Sequence, residues 1–409
     1  MDLELSRRQF VQWRTAIFAI FLAGGLSIAT WASRVPAIKQ TLDIDNIQVG
    51  TMLLIGGLAS IVGLSLSSII LARFGARRGM LGAMFTFAAG LAVIGLGTDV
   101  VGSVPLVATG LVLWGFGNGA VDVMMNVEGA AIESQSGKTI LPLFHAFFSA
   151  GTVIGAGLGV VFISMGMNVL AHLGIVTVVI AVIAAVSIAY VPVRSATDDT
   201  PAAAEHTTWR ARLGEALSAW REPRTYALGV IMLGMSFAEG GANDWLALGV
   251  VEGHHAPQEM GALGLAVFSV SMTVVRVFGG PLVDRFGRVA VLRVLSVAAV
   301  AGLLLFILAP TTPLVFVGAA LWGVGASLGF PLGMSAAGDD PARAAARVSA
   351  AATIGYVAFL AGPPLLGLIS EHIGLLNTLF ILVALVAASG LASGAAKPLA
   401  GTRVGAGRH

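Results

Sequence analysis

Apolar residues run along this chain in long blocks separated by short polar breaks. Twelve of these blocks reach the length a membrane helix needs, since a hydrocarbon core about 30 Å thick takes about 20 apolar residues. They cover residues 14–40, 46–72, 79–98, 104–131, 139–163 and 169–191. After the longest polar break come 224–251, 258–284, 288–308, 313–338, 344–370 and 375–395. None shows the shorter, alternating pattern of barrel strands. The first block is too long for a secretion signal and lacks a small-residue cleavage box, so it is expected to persist as a helix. The pattern predicts an all-α membrane protein with 12 transmembrane helices.

The long break from Pro192 to Pro223 sits midway. Ser195–Thr208 has the composition of a tether, and the segment from Trp209 through Arg212 to Trp220 and Arg221 reads as a short amphipathic helix on the membrane surface. The predicted organisation is a six-helix bundle at 1–191, a cytoplasmic linker at 192–223, a second six-helix bundle at 224–395 and a tail at 396–409. Placing every Lys and Arg tests the count. Twenty of 23 fall on one side, leaving Arg34, Lys39 and Arg276. This asymmetry is the positive-inside pattern, and it predicts that both termini are cytoplasmic.

Composition excludes the soluble alternatives. Charged residues are 11% and hydrophobic residues 57%, against about 25% and 45–50% in soluble domains. Forty-four charged side chains cannot clothe a soluble surface of this size. The chain has no Cys, which excludes disulfides, thiol catalysis and cysteine metal sites. A net charge of +2 carries no nucleic-acid signal. No Walker loop, HExxH motif, Arg ladder or filter-like loop is present, so ATP hydrolysis, metal-enzyme chemistry and channel gating are not expected.

The two halves repeat one another. Leu113-Trp114-Gly115-Phe116-Gly117 matches Leu321-Trp322-Gly323-Val324-Gly325, and Arg73-Phe74-Gly75 matches Arg285-Phe286-Gly287. Trp31 falls opposite Trp245. The offsets are 208, 212 and 214 residues. Two repeats related along the membrane normal imply a carrier architecture with a site near the midplane.

The segment Gly280-Pro281-Leu282-Val283-Asp284-Arg285-Phe286-Gly287-Arg288 resembles the signature loop of the major facilitator superfamily. The resemblance implies two pseudo-symmetric six-helix bundles, transport by alternating access, and a loop that braces the cytoplasmic side of the outward-open state. It assigns gating roles to Arg73, Asp284, Arg285 and Arg288, with Asp284 capping the start of the fifth span. The first-half copy departs from the motif, with Ser68 and Ala72 in place of the Gly and the Asp. The run Gly115 to Asn126 is similar to the fucose-permease-like branch. That likeness implies a role for Asp122 in proton coupling or sugar binding. Pro36 aligns with that branch too, but Ala32 stands where it has an acid. The chain also resembles an uncharacterised bacterial inner-membrane branch.

Ionisable groups inside a bilayer need a reason. Here they are Arg34, Asp122, Glu128, His145, Glu239, Asp244 and Arg276. Asn118, Asp122 and Asn126 share an arc of about 80° on one helix, which makes either a polar cavity stripe or an interhelical seam. Glu128 reads as a structural or gating partner near the inner end. Glu239 lies near the midplane with no opposite charge close in sequence, and with Asp122 it is the candidate for proton coupling. Asn243 and Asp244 follow a Gly-Gly pair that permits either unwinding or close packing. Equal depth along spans 1 and 7 pairs Arg34 with Asp244 as an outer gate, closed in the inward-open state and absent in the outward-open one. Arg276 pairs with Asp122, holds an anionic substrate group, or serves a structural ion pair. His145 is a proton relay or a packing residue. Trp13, Trp209 and Trp220 read as interface anchors. Trp31, Trp114, Trp245 and Trp322 either stack on a ligand in the cavity or pack against glycines. Tyr356 and Pro363-Pro364 mark a kinked cavity-side helix.

The sequence thus predicts a bacterial inner-membrane protein that is no enzyme and holds no cofactor. The leading expectation is a monomeric, proton-coupled carrier of a small polar solute such as a sugar. Its partners would be that solute and the bilayer. A drug or metabolite/proton antiporter and a non-transporting sensor are the alternatives.

Overall fold

Ser6 and Asp45 begin the first two helices in the same way. Each side-chain oxygen accepts from the amide three residues on, while Gln9 and Gln48 bond back to the cap residue's own amide. Two donors that a helix start leaves open are satisfied at each. The computed structural model describes residues 6–136, 140–192, 218–340 and 343–399. Most of the 192–223 linker, including Trp209, and the tail beyond residue 399 lie outside the described residues.

Among the described residues there is no strand. The long helices are α1 (Arg7–Leu42), α2 (Asn46–Leu96), α3 (Val104–Ser136), α4 (Leu141–Ser164), α5 (Val169–Ile188), α6 (Pro223–Gly241), α7 (Gln258–Phe286) and α8 (Arg288–Leu308). They continue with α9 (Thr312–Ala326), α10 (Gly329–Ala337), α11 (Ala344–Ile373), a single turn α12 (Leu375–Thr378) and α13 (Phe380–Ala392). Ten described helical stretches are long and apolar enough to cross a membrane.

Four predicted spans take a different local form. The sequence places a loop between spans 2 and 3, but α2 runs through 51 residues with one bend, at Gly75 (φ 74°, ψ 167°). Gly287 makes the matching bend between α7 and α8 (φ 79°, ψ 157°). Both lie in the positive-φ region that a Cβ disfavours, which is why Gly stands at each. The block 224–251 is not one straight helix. Helix α6 ends at Gly241 and continues as π turns, Ala242–Leu246 and Gly249–Gly253. Gly240-Gly241 leaves the ladder free to widen there. The block 313–338 is interrupted at Ser327-Leu328, between α9 and α10.

The internal repeat is written in the packing. A Cβ on Gly117 would meet Ala83 O and Phe87 N, each at 2.5 Å, and one on Gly325 would meet Leu295 O at 2.5 Å and also Ala299 N. Gly90 lies against Gly110 and Trp114, just as Gly302 lies against Gly318 and Trp322. These contacts recur at offsets of 208 and 212 residues. Small residues let helix backbones approach closely where the solvent is as apolar as the side chains.

The described chain forms two compact units. The first takes residues from 1–201, 243–273 and 363–375, and the second those from 202–242, 274–362 and 376–409. In the first unit, α2 and α3 pack over their whole length, with Gly63, Gly115 and Gly119 each seated on a carbonyl of the facing helix. The segments from beyond residue 242 belong to this unit through close approaches such as that of Gly50 to Pro363, whose carbonyl a Cβ on Gly50 would meet at 2.6 Å. In the second, α8 packs on α9 and α6 on α13.

Candidate functional site

In the second unit the polar side chains converge where two helices break. Glu239 sits in the last turn of α6, just before the π turns. Its Oε2 lies 2.7 Å from Nη2 of Arg276 on α7. Arg276 also donates from Nε to the carbonyl of Ser327 at 2.9 Å. That carbonyl belongs to the interruption between α9 and α10, where a continuous ladder would have used it. Trp322 Nε1 donates to Ala238 O at 2.9 Å, holding α9 against the same turn of α6. The two charged side chains retain 21% and 20% of their surface, so the pair is accessible while its charges offset one another. The sequence shows no opposite charge near Glu239, and the fold supplies one 37 residues away. Of the three roles expected for Arg276, the pairing with Asp122 is not the one formed, because Glu239 and Ser327 engage it.

In the first unit, α3 carries Asp122 on an exposed position, with Asn118 and Asn126 partly exposed beside it. Asn126 turns its Nδ2 back to donate to Asp122 O at 2.8 Å. Among the described residues Asp122 has no ion pair. Trp114 Nε1 donates to Ser27 Oγ at 2.7 Å, and the Trp31 and Trp114 rings lie 6.4 Å apart. Trp114 and Trp322 thus play the same part in the two units, each tying a glycine-rich helix to α1 or α6. Trp31, Trp245 and Trp322 are buried. Of the two roles open to them, the structure shows packing. Tyr356 is exposed and lies beside Phe330. Asn243 and Asp244 are partly buried on the first π turn.

The Arg34–Asp244 pair, expected in only one of the two transport states, is not present here. Arg34, 2% exposed, donates from Nε to Nδ1 of His172 on α5 at 2.8 Å. Matched depth along two helices does not fix the direction of either side chain, and His172 stands at the same level within the unit. The pairs that join the end of α1 and the start of α2 to second-half segments are others. Lys39 meets Glu252 at 2.7 Å, Gln258 donates to Gln40 at 2.6 Å, and the Asn46 amide donates to Glu371 at 2.5 Å. Lys39 stands near a predicted loop, which was the available signal. Nothing in the sequence singles out His172, Glu252 or Glu371.

The repeated turns at Gly75 and Gly287 share geometry but not charge. Arg73 lies 5.8 Å from the Phe74 ring and Arg285 5.3 Å from the Phe286 ring. Arg288 pairs with Asp339 at 2.8 Å, and Arg224 shares that carboxylate at 2.8 Å. Asp284 is exposed. The helix start assigned to it is capped instead by Glu133, whose Oε2 accepts from the Ile140 and Leu141 amides at 2.7 and 2.8 Å. Trp13 is also not an interface anchor. It is buried and donates from Nε1 to the fully buried Glu128 at 2.7 Å. His145 is exposed, with the Phe21 ring edge-on at 5.3 Å. Among the described residues no cluster of His, Asp and Glu could hold a metal ion.

Comparison with known proteins places these features in context. The family model described as Major Facilitator Superfamily matches residues 16–363 and again 245–401. The chain is 30% identical over 93% of its length, and 97% of the relative's, to an uncharacterised transporter, y4wD, of Sinorhizobium fredii. It is 28% identical to an uncharacterised MFS-type transporter of Yersinia pestis, over 86% of this chain and 87% of that one. Among solved structures, a variant of the nucleoside transporter NupG superposes with a TM-score of 0.75 at 16% identity, over 95% of this chain and all of that one. The transporter FucP in its outward conformation superposes with a TM-score of 0.65 at 14% identity, over 96% and 100%.

Proposed function

The chain belongs to the major facilitator superfamily, and from that premise we propose that it is a proton-coupled carrier of a small polar solute. It works by alternating access in a bacterial inner membrane, with both termini cytoplasmic. Counting the Gly75 bend as a turn between two crossings, and α6 with its π turns as one more, brings the ten long apolar stretches to twelve.

The observation that carries the coupling reading is the Glu239–Arg276 pair at the end of α6. A proton on Glu239 removes the negative partner of Arg276 and frees its guanidinium at a place where the helix is already widened. Deprotonation restores the pair. Asp122 is the second candidate carboxylate, exposed and without an ionic partner of its own among the described residues. A solute that binds better to one protonation state shifts the equilibrium by that difference in affinity and by no more.

A polar solute matches in kind the side chains left accessible within each unit, Asn118 and Asp122 in the first and Glu239 and Arg276 in the second. The indoles of Trp31, Trp245 and Trp322, which would have supplied a greasy wall for a drug, are occupied in packing. The names of two structural neighbours, a nucleoside transporter and a fucose:proton symporter, make nucleosides and fucose the first solutes to test. Uptake into proteoliposomes under an imposed pH gradient tests the proposal. Wild-type protein accumulates a solute from that panel, while Asp122→Asn and Glu239→Gln lose accumulation and keep exchange. Full accumulation by both variants removes proton coupling through these acids. Binding without movement would support a sensor, and accumulation under the reversed gradient an antiporter.

A further inference from the structure

The bend of α2 and the end of α5 enclose a recess of about 720 Å³, within the size range of ligand sites. Its walls include Leu71, Phe74, Leu81 and Ile188, and Arg77 and Arg78 stand among them. No acidic residue lines it. Arg77 is fixed across the recess by donating to the carbonyls of Ile188, at 3.0 Å, and Ala189. Arg78 and Arg73 are exposed, and among the described residues none of the three arginines has an acidic partner.

The matching turn of the second unit is balanced where this one is not. Asp284 stands where the first turn has Ala72, and Arg288 is neutralised by Asp339. The Gly75 bend lies between two membrane-crossing stretches, so the recess sits at a membrane–water boundary whichever way the chain is oriented. Phe74 keeps 54% of its surface there. Apolar walls beside uncompensated guanidinium groups at that depth suit one ligand chemistry.

We propose that this recess binds an anionic phospholipid. Its phosphate would sit at Arg78 near the fixed Arg77 charge, with Arg73 at the rim beside the Phe74 ring, and its glycerol and first acyl carbons would lie along Leu71, Phe74 and Leu81. Basic pockets beside membrane helices recognise anionic headgroups in this way. The site requires only that the chain crosses a membrane and is independent of transport.

The test is lipid retention by the purified full-length protein in detergent, read by native mass spectrometry. Phosphatidylglycerol and phosphatidylcholine of equal acyl length compete, and glycerol phosphate is added as the soluble headgroup. Wild-type protein retains phosphatidylglycerol in preference, and glycerol phosphate does not displace it. Arg78→Gln and Arg73→Gln each weaken retention about fivefold. Ala72→Asp, which restores the acid of the second turn at an exposed position, weakens it similarly without removing an arginine. Equal retention of both lipids overturns the proposal, as does displacement by glycerol phosphate at matched concentration, which marks a free-phosphate site. Unchanged retention by Ala72→Asp and both arginine variants overturns it as well.

Discussion

Glu239 lies in the last turn of α6, and its ionic partner among the described residues is one guanidinium 2.7 Å away. Removing one member of a fully buried ion pair typically costs 3–5 kcal/mol, because the other is left uncompensated. Both groups here keep about a fifth of their surface, so water screens part of that loss. Arg276→Gln is therefore expected to destabilise by on the order of 1–3 kcal/mol. Glu239→Gln in the same chain should recover most of it. Thermal unfolding in detergent across the double-mutant cycle measures the coupling. An Arg276→Gln protein as stable as wild type would show the pair to be incidental. At this scale the sequence identified the charged residues and left their partners open. Arg276 was singled out with three possible roles, and only the break at Ser327-Leu328 brought Glu239 and a free carbonyl to it. Arg34 met His172 rather than Asp244, since depth along a helix says nothing about which neighbour a side chain faces.

The helices themselves were legible because each is a long apolar block, and lipid leaves a backbone few other ways to satisfy its hydrogen bonds. Their interruptions were less so. Gly75 and Gly287 lie in repeated motifs, yet bends at single residues look in sequence like ordinary loops. Glycine is used in two distinguishable ways along these helices. A Cβ on Gly117 would stand 2.5 Å from Ala83 O and Phe87 N, so Gly117→Ala forces α2 and α3 apart and is expected to cost about 1–3 kcal/mol. Gly82 has open space where its Cβ would stand. Gly82→Ala is expected to be neutral or to stabilise by about 0.5–1 kcal/mol through helix propensity. Melting temperatures of the two variants decide this, and equal effects would contradict the close-approach reading of Gly117. Gly325→Ala should behave as Gly117→Ala does, because the same contact recurs in the second unit.

For the molecule as a whole, the contacts at the far end of α1 cross between the two halves of the sequence inside the first compact unit. Lys39–Glu252, Gln40–Gln258 and the Glu371 cap on Asn46 all join first-half helices to second-half segments. If they form the outer latch, Lys39→Glu and Glu252→Lys should each raise exposure of the segment beyond α6, and the double swap should restore wild-type exposure. The chain has no Cys of its own, so a single Asn243→Cys reports through its rate of thiol labelling from outside. Labelling that the swaps leave unchanged would place the latch elsewhere. The sequence by itself determined the membrane solvent, the helical class, the internal repeat and the short list of ionisable residues that lipid would otherwise exclude. These follow from composition, block length and periodicity, which are properties of residues in order along the chain. Only the tertiary structure decided which charge meets which, which indoles pack, and which turn keeps three arginines without an acidic partner among the described residues. Those outcomes depend on the rotation of each helix about its axis and on breaks a few residues long, and both are set by contacts between segments far apart in the chain.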